Sequence, residues 1–319
     1  MITVLTGGTG GAKFVDGLRR VVPAEELTII VNTGDDQEWW GLYISPDVDS
    51  ITYVLAGILS SERGWGVRGD TFHCLRAMGD LGEPTWFGVG DRDLAVHLMR
   101  TKLLSQGCTL SEVTRVITGR FDLDARILPM SDQRVQTRID TPAGELSFEE
   151  YFVKRWFQDP VNSVRFAGAT ESEPAPGVLD AIAKARAILI APSNPVTSIG
   201  PILSVPGIRE ALAKASAPVV AVSPVIGQAA VSGPAGTLMA AQGLEVSIRG
   251  VANAYKEFLD MLVAHLTDSA LAAEITTTRF QVHCENILMD SLEQREQVAR
   301  TALMLAWPGI MNATTAEID

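Results

Sequence analysis

The chain has 319 residues, with 26 Lys or Arg against 38 Asp or Glu and a formal net charge of −12. An acidic balance with scattered basic residues excludes an electrostatic nucleic-acid surface, and 46% apolar content at this length suffices for one large core or two smaller ones. No uncharged stretch reaches the roughly 18 apolar residues of a membrane span, and Cys74, Cys108 and Cys284 lack the spacing of a disulfide framework or a zinc site.

The chain opens on a β-prone apolar run, Ile2-Thr-Val-Leu5, that meets the glycine cluster Gly7-Gly-Thr-Gly-Gly11. A helical pattern follows, with Phe14, Leu18 and Val21 near one face. No basic leader precedes the strand, so the expectation is a soluble cytoplasmic protein without a signal peptide. Strand, glycine turn and helix start present backbone N–H groups and the positive helix end to a phosphate. Gly8 and Gly10 meet the first two positions of the dinucleotide fingerprint, but Lys13 stands at the third; Ala12 and Phe14 around Lys13 break the Walker pattern. A tight βα turn and an anion site both remain open, with the anion contact preferred.

Leu27–Val31 reads as a buried parallel strand ending in Asn32-Thr-Gly-Asp-Asp36. The βαβ spacing predicts that Gly7–Gly11 and Asn32–Asp36 share the rim at the carboxyl ends of the strands. Asp35 and Asp36 there suit a ribose hydroxyl or a metal. Ile44–Ser50 adds Asp47 and Asp49, read as alternating on an extended turn with Ser50 capping a helix through Tyr53, Val54 and Ile58. Capping needs one aspartate. Four on one rim repel one another unless a cation intervenes, and Mg²⁺ is the natural counter-ion beside a phosphate loop. Trp39-Trp40 and Trp65 supply aromatic surface, read as core or interface. Asp91 and Asp93 cap a helix through Leu94, His97 and Leu98; Arg92 in its first turn opposes the helix dipole and points to a phosphate or carboxylate partner, while His97 reads as a structural hydrogen-bonder.

Residues from about 105 to 175 read as an inserted α+β layer: a helix over 106–118 with a Thr109/Glu112 capping box, then short strands within 125–132, 135–140 and 145–152, with a junction at 171–176. Met130–Asp132 has no evident local role. The α/β rhythm then resumes with a helix over 177–184 and a strand at Ala187–Ala191. The loop Pro192–Ile202 follows, a second candidate phosphate cradle. A strand at Val219–Ser223, a helix opening near Val231–Gly236, strands at 244–247 and 258–263, and a Ser291/Gln294 capping box before a closing helix complete the reading.

Seven motifs in this order resemble one family: Thr6-Gly-Gly-Thr-Gly-Gly-Ala-Lys13, Val31-Asn-Thr-Gly-Asp-Asp36, Ser45-Pro-Asp-Val-Asp49, Gly90-Asp-Arg-Asp93, Leu128-Pro-Met-Ser-Asp132, Pro192-Ser-Asn-Pro-Val-Thr-Ser-Ile-Gly-Pro-Ile202 and Val231-Ser-Gly-Pro-Ala-Gly236. Together they look like the 2-phospho-L-lactate transferase family, the CofD/FbiA enzymes of deazaflavin coenzyme (factor 420) biosynthesis. The resemblance implies a single Rossmann-like α/β domain over 1–319, its mostly parallel sheet flanked by helices and carrying the inserted substructure, and a homodimer. It implies Mg²⁺-dependent transfer of a phospho-organic-acid group (2-phospholactyl, phosphoenolpyruvyl or 3-phosphoglyceryl). The donor is a guanylyl diphosphate, the acceptor is the ribityl hydroxyl of deazariboflavin Fo, and GMP is released.

By position, the resemblance gives the metal to Asp35 and Asp47. It has Asp49 position or deprotonate the Fo hydroxyl and Arg92 bind Fo or a donor phosphate. Gly8, Thr9, Gly10, Gly11 and Lys13, with Ser193, Asn194, Ser198 and Gly200, would lie along the donor; Asn32, Asp36 and Asp91 would complete the substrate contacts. Gly11-Ala12 stands where archaeal members commonly carry Thr-Pro and looks like bacterial members, which leaves the donor acid open. Asp49→Asn is expected to lower turnover with little change in fold. Two rivals differ in class: a nucleotide-binding regulator of similar core fold, and a dinucleotide-dependent oxidoreductase, which Lys13 disfavours.

Overall fold

The computed structural model describes residues 1–309. Ile2–Thr6 (β1) passes after one residue into α1 (Gly8–Val21), and Leu27–Val31 (β2) follows. A hairpin of Gln37–Trp39 (β3) and Leu42–Ile44 (β4) leads to α2 (Pro46–Leu55), α3 (His73–Asp80), α4 (Asp91–Ser105) and α5 (Leu110–Arg120), then Arg126–Pro129 (β5). Gln136–Thr141 (β6), Gly144–Ser147 (β7) and Ser163–Ala167 (β8) form an antiparallel sheet, with one π-helical turn at Glu150–Lys154. The chain then runs through α6 (Val178–Ala183), β9 (Ala187–Ile190), α7 (Ile199–Ser204), α8 (Ile208–Lys214) and β10 (Val219–Val222). A hairpin of Val225–Ile226 (β11) and Ala229–Ala230 (β12) precedes α9 (Ala235–Ala241) and α10 (Ile248–Ala254). Met261–His265 (β13), α11 (Ser269–Ile275), Gln281–Glu285 (β14) and α12 (Leu292–Ala306) finish the described chain.

The central sheet has seven strands in the order β14-β13-β10-β9-β1-β2-β5, every neighbouring pair parallel. This is an α/β fold of the expected class. β1, β2, β9 and β10 are buried along their whole length, as strands covered on both faces must be. One face packs Phe14, Leu18, Ile51, Val298 and Leu303 against the sheet; the other packs Ile199, Ile202, Val178 and Tyr255 together with Ile139 and Val164 of the antiparallel sheet. β1 has β2 on one side and β9 on the other, so the direction of sheet growth reverses between β1 and β9. That switch point is where α/β sheets open a crevice for ligands.

Several expectations need correcting. β5 joins the edge of the central parallel sheet rather than an inserted layer. Residues 150–154 form the π-helical turn, not a strand. Gln106–Cys108 lie between α4 and α5, and the Thr109/Glu112 box starts α5 as read. Residues 244–247 are not a strand; Ser247 caps α10. β8, β14, α3, α8, α10 and α11 have no counterpart in the sequence reading. Asp132 accepts hydrogen bonds from the Ser111 amide and hydroxyl, both at 2.7 Å, at the start of α5. The Ser291/Gln294 box starts α12 as expected.

α1 and α12 pack closely at Gly17. A Cβ there would stand 2.2 Å from the Arg295 carbonyl oxygen, closer than any carbon can approach. Gly17→Ala is therefore expected to destabilise the protein by about 1–3 kcal/mol, because overpacking outweighs the helix propensity gained. Urea denaturation should show a lower midpoint at unchanged slope; an unchanged or higher midpoint would contradict this packing.

Candidate functional site

The rim at the carboxyl ends of β1, β2 and β9 is joined by one side chain. The Asn32 amide nitrogen lies 2.9 Å from Asp35 Oδ2, 2.9 Å from Asp47 Oδ2 and 3.3 Å from the Thr197 carbonyl, while its Oδ1 accepts from the Gly34 amide at 2.7 Å. Asp47 Oδ1 accepts from Gly8 N–H at 2.7 Å, and Ser193 Oγ donates to the Gly7 carbonyl at 2.7 Å. The turn must be glycine because the loops touch. A Cβ at Gly7 would come 2.7 Å from Asp47 Oδ2, and one at Gly10 would come 2.4 Å from the Pro192 carbonyl oxygen. The glycine turn, the Asn32–Asp36 loop, Asp47 and the Ser193–Ser198 loop thus meet at the switch point.

Asp47 and Asp49 are not on an extended turn. α2 begins at Pro46, a preferred first helical residue, so both lie in its first turn and Ser50 is inside the helix, which ends before Ile58. Asp47 faces the nest. Asp49 faces α4, where the buried Arg100 guanidinium holds both its oxygens, Nη1 donating to Oδ2 at 3.0 Å and Nη2 to Oδ1. His97 lies between Asp49 and Asp93, at 3.5 Å from each, and Tyr53 donates to Asp93 at 2.5 Å. Burial works against the Arg100 charge, but Asp49, Asp36 and Tyr53 together raise the pKa of the guanidinium. Asp36 sits beside this pair and accepts from Ser45 Oγ at 2.7 Å and Tyr43 OH at 2.9 Å.

The other candidates lie elsewhere or serve the loops. Asp91 accepts from Thr71 Oγ1 and from the His73 and Cys74 amides at the start of α3; these bonds, the Thr71 hydroxyl first, hold its carboxyl down at about 2. Asp70, unnoticed in the sequence, caps α4 by accepting from the Arg92 and Asp93 amides. The Arg92 side chain is exposed and among the described residues reaches only the Arg68 carbonyl, at 3.4 Å. Lys13 points away from the nest, 3.8 Å from Asp290, and with Thr9 lines a groove of about 310 Å³ along α1 that also carries Arg19, Arg20, Arg68 and Arg295. Asn194 Oδ1 accepts from the Val196 amide, and Gly200 packs on Phe166. Ser198 stands beside Gly8. Trp39 is buried and edge-on to Trp86, a core role.

The sequence reading missed Arg100 and Glu149. Asp93, His97 and Arg100 recur at i, i+4 and i+7 on α4, a stripe that could have identified Arg100. Glu149 carries no such signal. It is buried, and its carboxyl is pushed up to about 8, by burial first and then by the charges of Asp47 and Asp36. Burial raises Asp36 to about 8 against the Ser45 and Tyr43 hydrogen bonds, and Asp47 to about 6 against those from Gly8 and Asn32. Asp35 is raised well above the usual range by burial, then by Asp47 and Glu149; the nearby Thr137 hydroxyl opposes this without making a hydrogen bond of normal geometry.

These residues fit a divalent cation. Asp35 Oδ1 is fully buried with no hydrogen-bond partner among the described residues, and its carboxylate neighbours crowd it with like charge. All the donors are hard oxygens, as Mg²⁺ requires. Asp49, Asp93 and His97 also bring three ligand atoms within 4.8 Å of one another, but Arg100 and Tyr53 already hold the two carboxylates, so the fit is better at Asp35 and Asp47.

A family model described as 2-phospho-L-lactate transferase CofD matches residues 2–304. The 2-phospho-L-lactate transferase of Methanococcoides burtonii is 42% identical over 297 residues, covering 93% of this chain and 96% of that protein. The phosphoenolpyruvate transferase of Streptomyces coelicolor is 43% identical over 313 residues, covering 96% and 98%. A crystal structure of a UPF0052 family member from Bacillus halodurans superposes with a TM-score of 0.62 over 95% of this chain and 98% of that one; at 19% identity it speaks for the fold alone.

Two outcomes follow from the geometry. Asp49→Asn leaves the buried Arg100 charge uncompensated, so a stability loss of about 3–5 kcal/mol is expected, in place of the unchanged fold anticipated from sequence; calorimetry that finds the wild-type melting temperature would refute it. Asp36 and Glu149 bind protons at about 8 when folded and near 4 when unfolded. The folded state therefore holds more protons between those limits, and stability must fall as pH rises from about 4 to about 8. Melting of chelator-treated protein across that range should show the decline; a rise would refute it.

The chain belongs to the 2-phospho-L-lactate transferase (CofD) family and is an enzyme of the transferase type.

Proposed function

We propose that this enzyme transfers a phospho-organic-acid group from a guanylyl diphosphate donor to the terminal ribityl hydroxyl of deazariboflavin Fo, releasing GMP, with Mg²⁺ held by Asp35 and Asp47. The observation that carries the reading is the nest of buried carboxylates at the β1/β9 switch point, one of whose oxygens, Asp35 Oδ1, has no hydrogen-bond partner among the described residues. Relatives named for phospholactate and for phosphoenolpyruvate are almost equally similar to the chain, so overall identity does not favour either acid.

In the reaction the ribityl oxygen bonds to the β-phosphorus while the bond from that phosphorus to the bridging oxygen breaks. The bridging oxygen leaves with GMP, and the hydroxyl proton passes to a carboxylate. Bound Mg²⁺ would offset the negative charge on the transferred phosphoryl and its leaving group. The first amide of α1 is occupied by Asp47, so donor phosphate contacts fall to the helix start at the exposed Thr9 and the half-buried Gly10 and to the Ser193–Ser198 loop. Asp36, held at the same rim by Ser45 Oγ and Tyr43 OH, is the carboxylate we assign to that proton transfer. Asp49, held by Arg100, positions α2 against α4 instead. Arg92 makes no ion pair with the described residues and is left to meet a phosphate.

A regulatory nucleotide-binding role has no specific support, since the likeness to the UPF0052 structure concerns fold only. Incubation with Fo, Mg²⁺ and the lactyl, enolpyruvyl and glyceryl guanylyl donors in turn, followed by mass spectrometry, is expected to give one phospho-acid adduct of Fo with an equal amount of GMP. Absence of product from all three donors would refute the proposal.

A further inference from the structure

We infer that the groove along α1 is an anion site that takes the phosphate group of a small molecule, apart from the carboxylate nest. The inference stands on the groove and goes beyond the proposed reaction. Thr9, Lys13, Asp16 and Arg20 recur at i, i+4, i+7 and i+11, which puts them on one face of α1. That face is one wall of a groove of about 310 Å³, closed by the 57–68 segment after α2 and by the start of α12. The segment touches the helix near its start, where a Cβ at Gly64 would stand 3.9 Å from Thr9 Cγ2. Arg20 lies about 16 Å further along the helix than Thr9, so the groove leads away from Asp47. Among the described residues its charged lining is Lys13, Arg19, Arg20, Arg68 and Arg295 against Asp16. The whole chain carries −12, so the sign of charge reverses here. A cleft lined by one sign of charge concentrates ions of the other.

Asp16 cannot balance that charge. Its Oδ1 accepts from Arg19 Nε at 2.9 Å and its Oδ2 from Arg295 Nη1 at 2.9 Å, so both oxygens are engaged, and Arg20 Nε stands 3.9 Å off. Lys13 has the exposed Asp290 at 3.8 Å, beyond hydrogen-bond reach. Arg68 makes no ion pair with a described residue; one of its nitrogens donates to the Gly57 carbonyl at 2.8 Å, which fixes the guanidinium on its own segment. Like charges gathered round one cavity repel one another, and a cleft screens them less than open water does. A phosphate dianion offsets them, and the planar fork of an arginine matches its oxygens. Thr9 and Ser61, both exposed, line the same groove and add hydroxyl donors.

The test is titration with pyrophosphate by isothermal calorimetry in metal-free buffer, on wild type, Lys13→Gln, Arg68→Gln and the double control Lys102→Gln/Lys214→Gln, whose exposed lysines lie outside the groove. Wild type is expected to bind, each groove variant to bind about 10-fold more weakly, and the control to match wild type. Melting of each protein without ligand checks that it is folded. Lys13→Gln removes no hydrogen bond, so it tests the groove even where Arg68→Gln loosens the segment at Gly57. Repeating the titration with saturating GDP and Mg²⁺ identifies the source of the phosphate. Loss of pyrophosphate binding assigns the groove to a phosphate of the nucleotide, and persistence assigns it to a separate phosphorylated molecule. No binding by wild type, equal affinity in both groove variants, or equal weakening in the control would overturn the inference, and none of these results bears on the product assay of the proposed reaction.

Discussion

The rim depends on a single buried amide. Asn32 follows β2, its backbone N–H donates to the Thr6 carbonyl at the end of β1, and its side chain reaches Asp35, Asp47 and the Thr197 carbonyl beyond β9. Segments far apart in sequence therefore meet on one residue at the switch point of the sheet. Asparagine is the side chain that can do this. It offers two N–H bonds to acceptors that are mostly anionic and an oxygen to the Gly34 amide, and it adds no charge. An aspartate would add another negative group to a buried cluster, and a leucine would strip two carboxylates and an amide of their partner. Either change leaves buried polar groups unsatisfied, which costs more than the hydrogen bonds themselves contribute.

Around that amide the acidic residues divide into two groups with different electrostatics. Asp49 of α2 and Asp93 of α4 meet where these two helices pack, and there Arg100, His97 and Tyr53 compensate them within the protein. Breaking such a buried pair is costly even where the intact pair adds little net stability. Asp35, Asp47 and Glu149 are buried as well, and among the described residues no cation pairs with them. The chain thus gives a counter-ion to the carboxylates that hold helices together and withholds one from those beside the glycine turn. Sequence spacing alone could not make this division, because Asp47 and Asp49 are two residues apart and both lie in the first turn of α2. The turn of the helix separates them, sending one towards Asn32 and the other towards Arg100.

Much of this was legible where physics is local. β1, β2, β9 and β10 announce themselves as apolar runs because both of their faces are covered, and the two capping boxes at Thr109 and Ser291 start helices as read. The start of α2 was misplaced because Ser50 was weighed as a cap while Pro46, fitted to the first helical position, went unused. β14 escaped because an edge strand with a half-exposed Gln-Val-His-Cys-Glu pattern has no apolar run to show. β5 was visible as a strand, but its place beside β2 depends on pairing nearly a hundred residues away, which no local pattern encodes. Glu149 failed for the same reason. Its neighbours in sequence read as a half-buried strand, and only the docking of the antiparallel sheet on Gly34 brings it within reach of the aspartates' charge.

The glycine turn shows why a motif can be near a fingerprint and still do different work. In the dinucleotide pattern the glycines allow a pyrophosphate to approach the first amides of the helix. Here the Asp47 carboxylate holds the first of those amides, and Gly10 is pressed against the Pro192 carbonyl, so the glycines bring three protein loops together before any ligand arrives. Lys13, at the third fingerprint position, is turned out towards Asp290 and the groove along α1. An anion entering this crevice meets a carboxylate where a dinucleotide fold would offer a bare helix end. Such a site favours a phosphate that arrives with a divalent cation over one that arrives alone, because without the cation the repulsion from Asp47 and Asp35 opposes the pull of the helix dipole. On the proposed reading the departure from the fingerprint and the excess of buried acid are one design: the backbone closes the loops, and the carboxylates would leave a cation to recruit the phosphate.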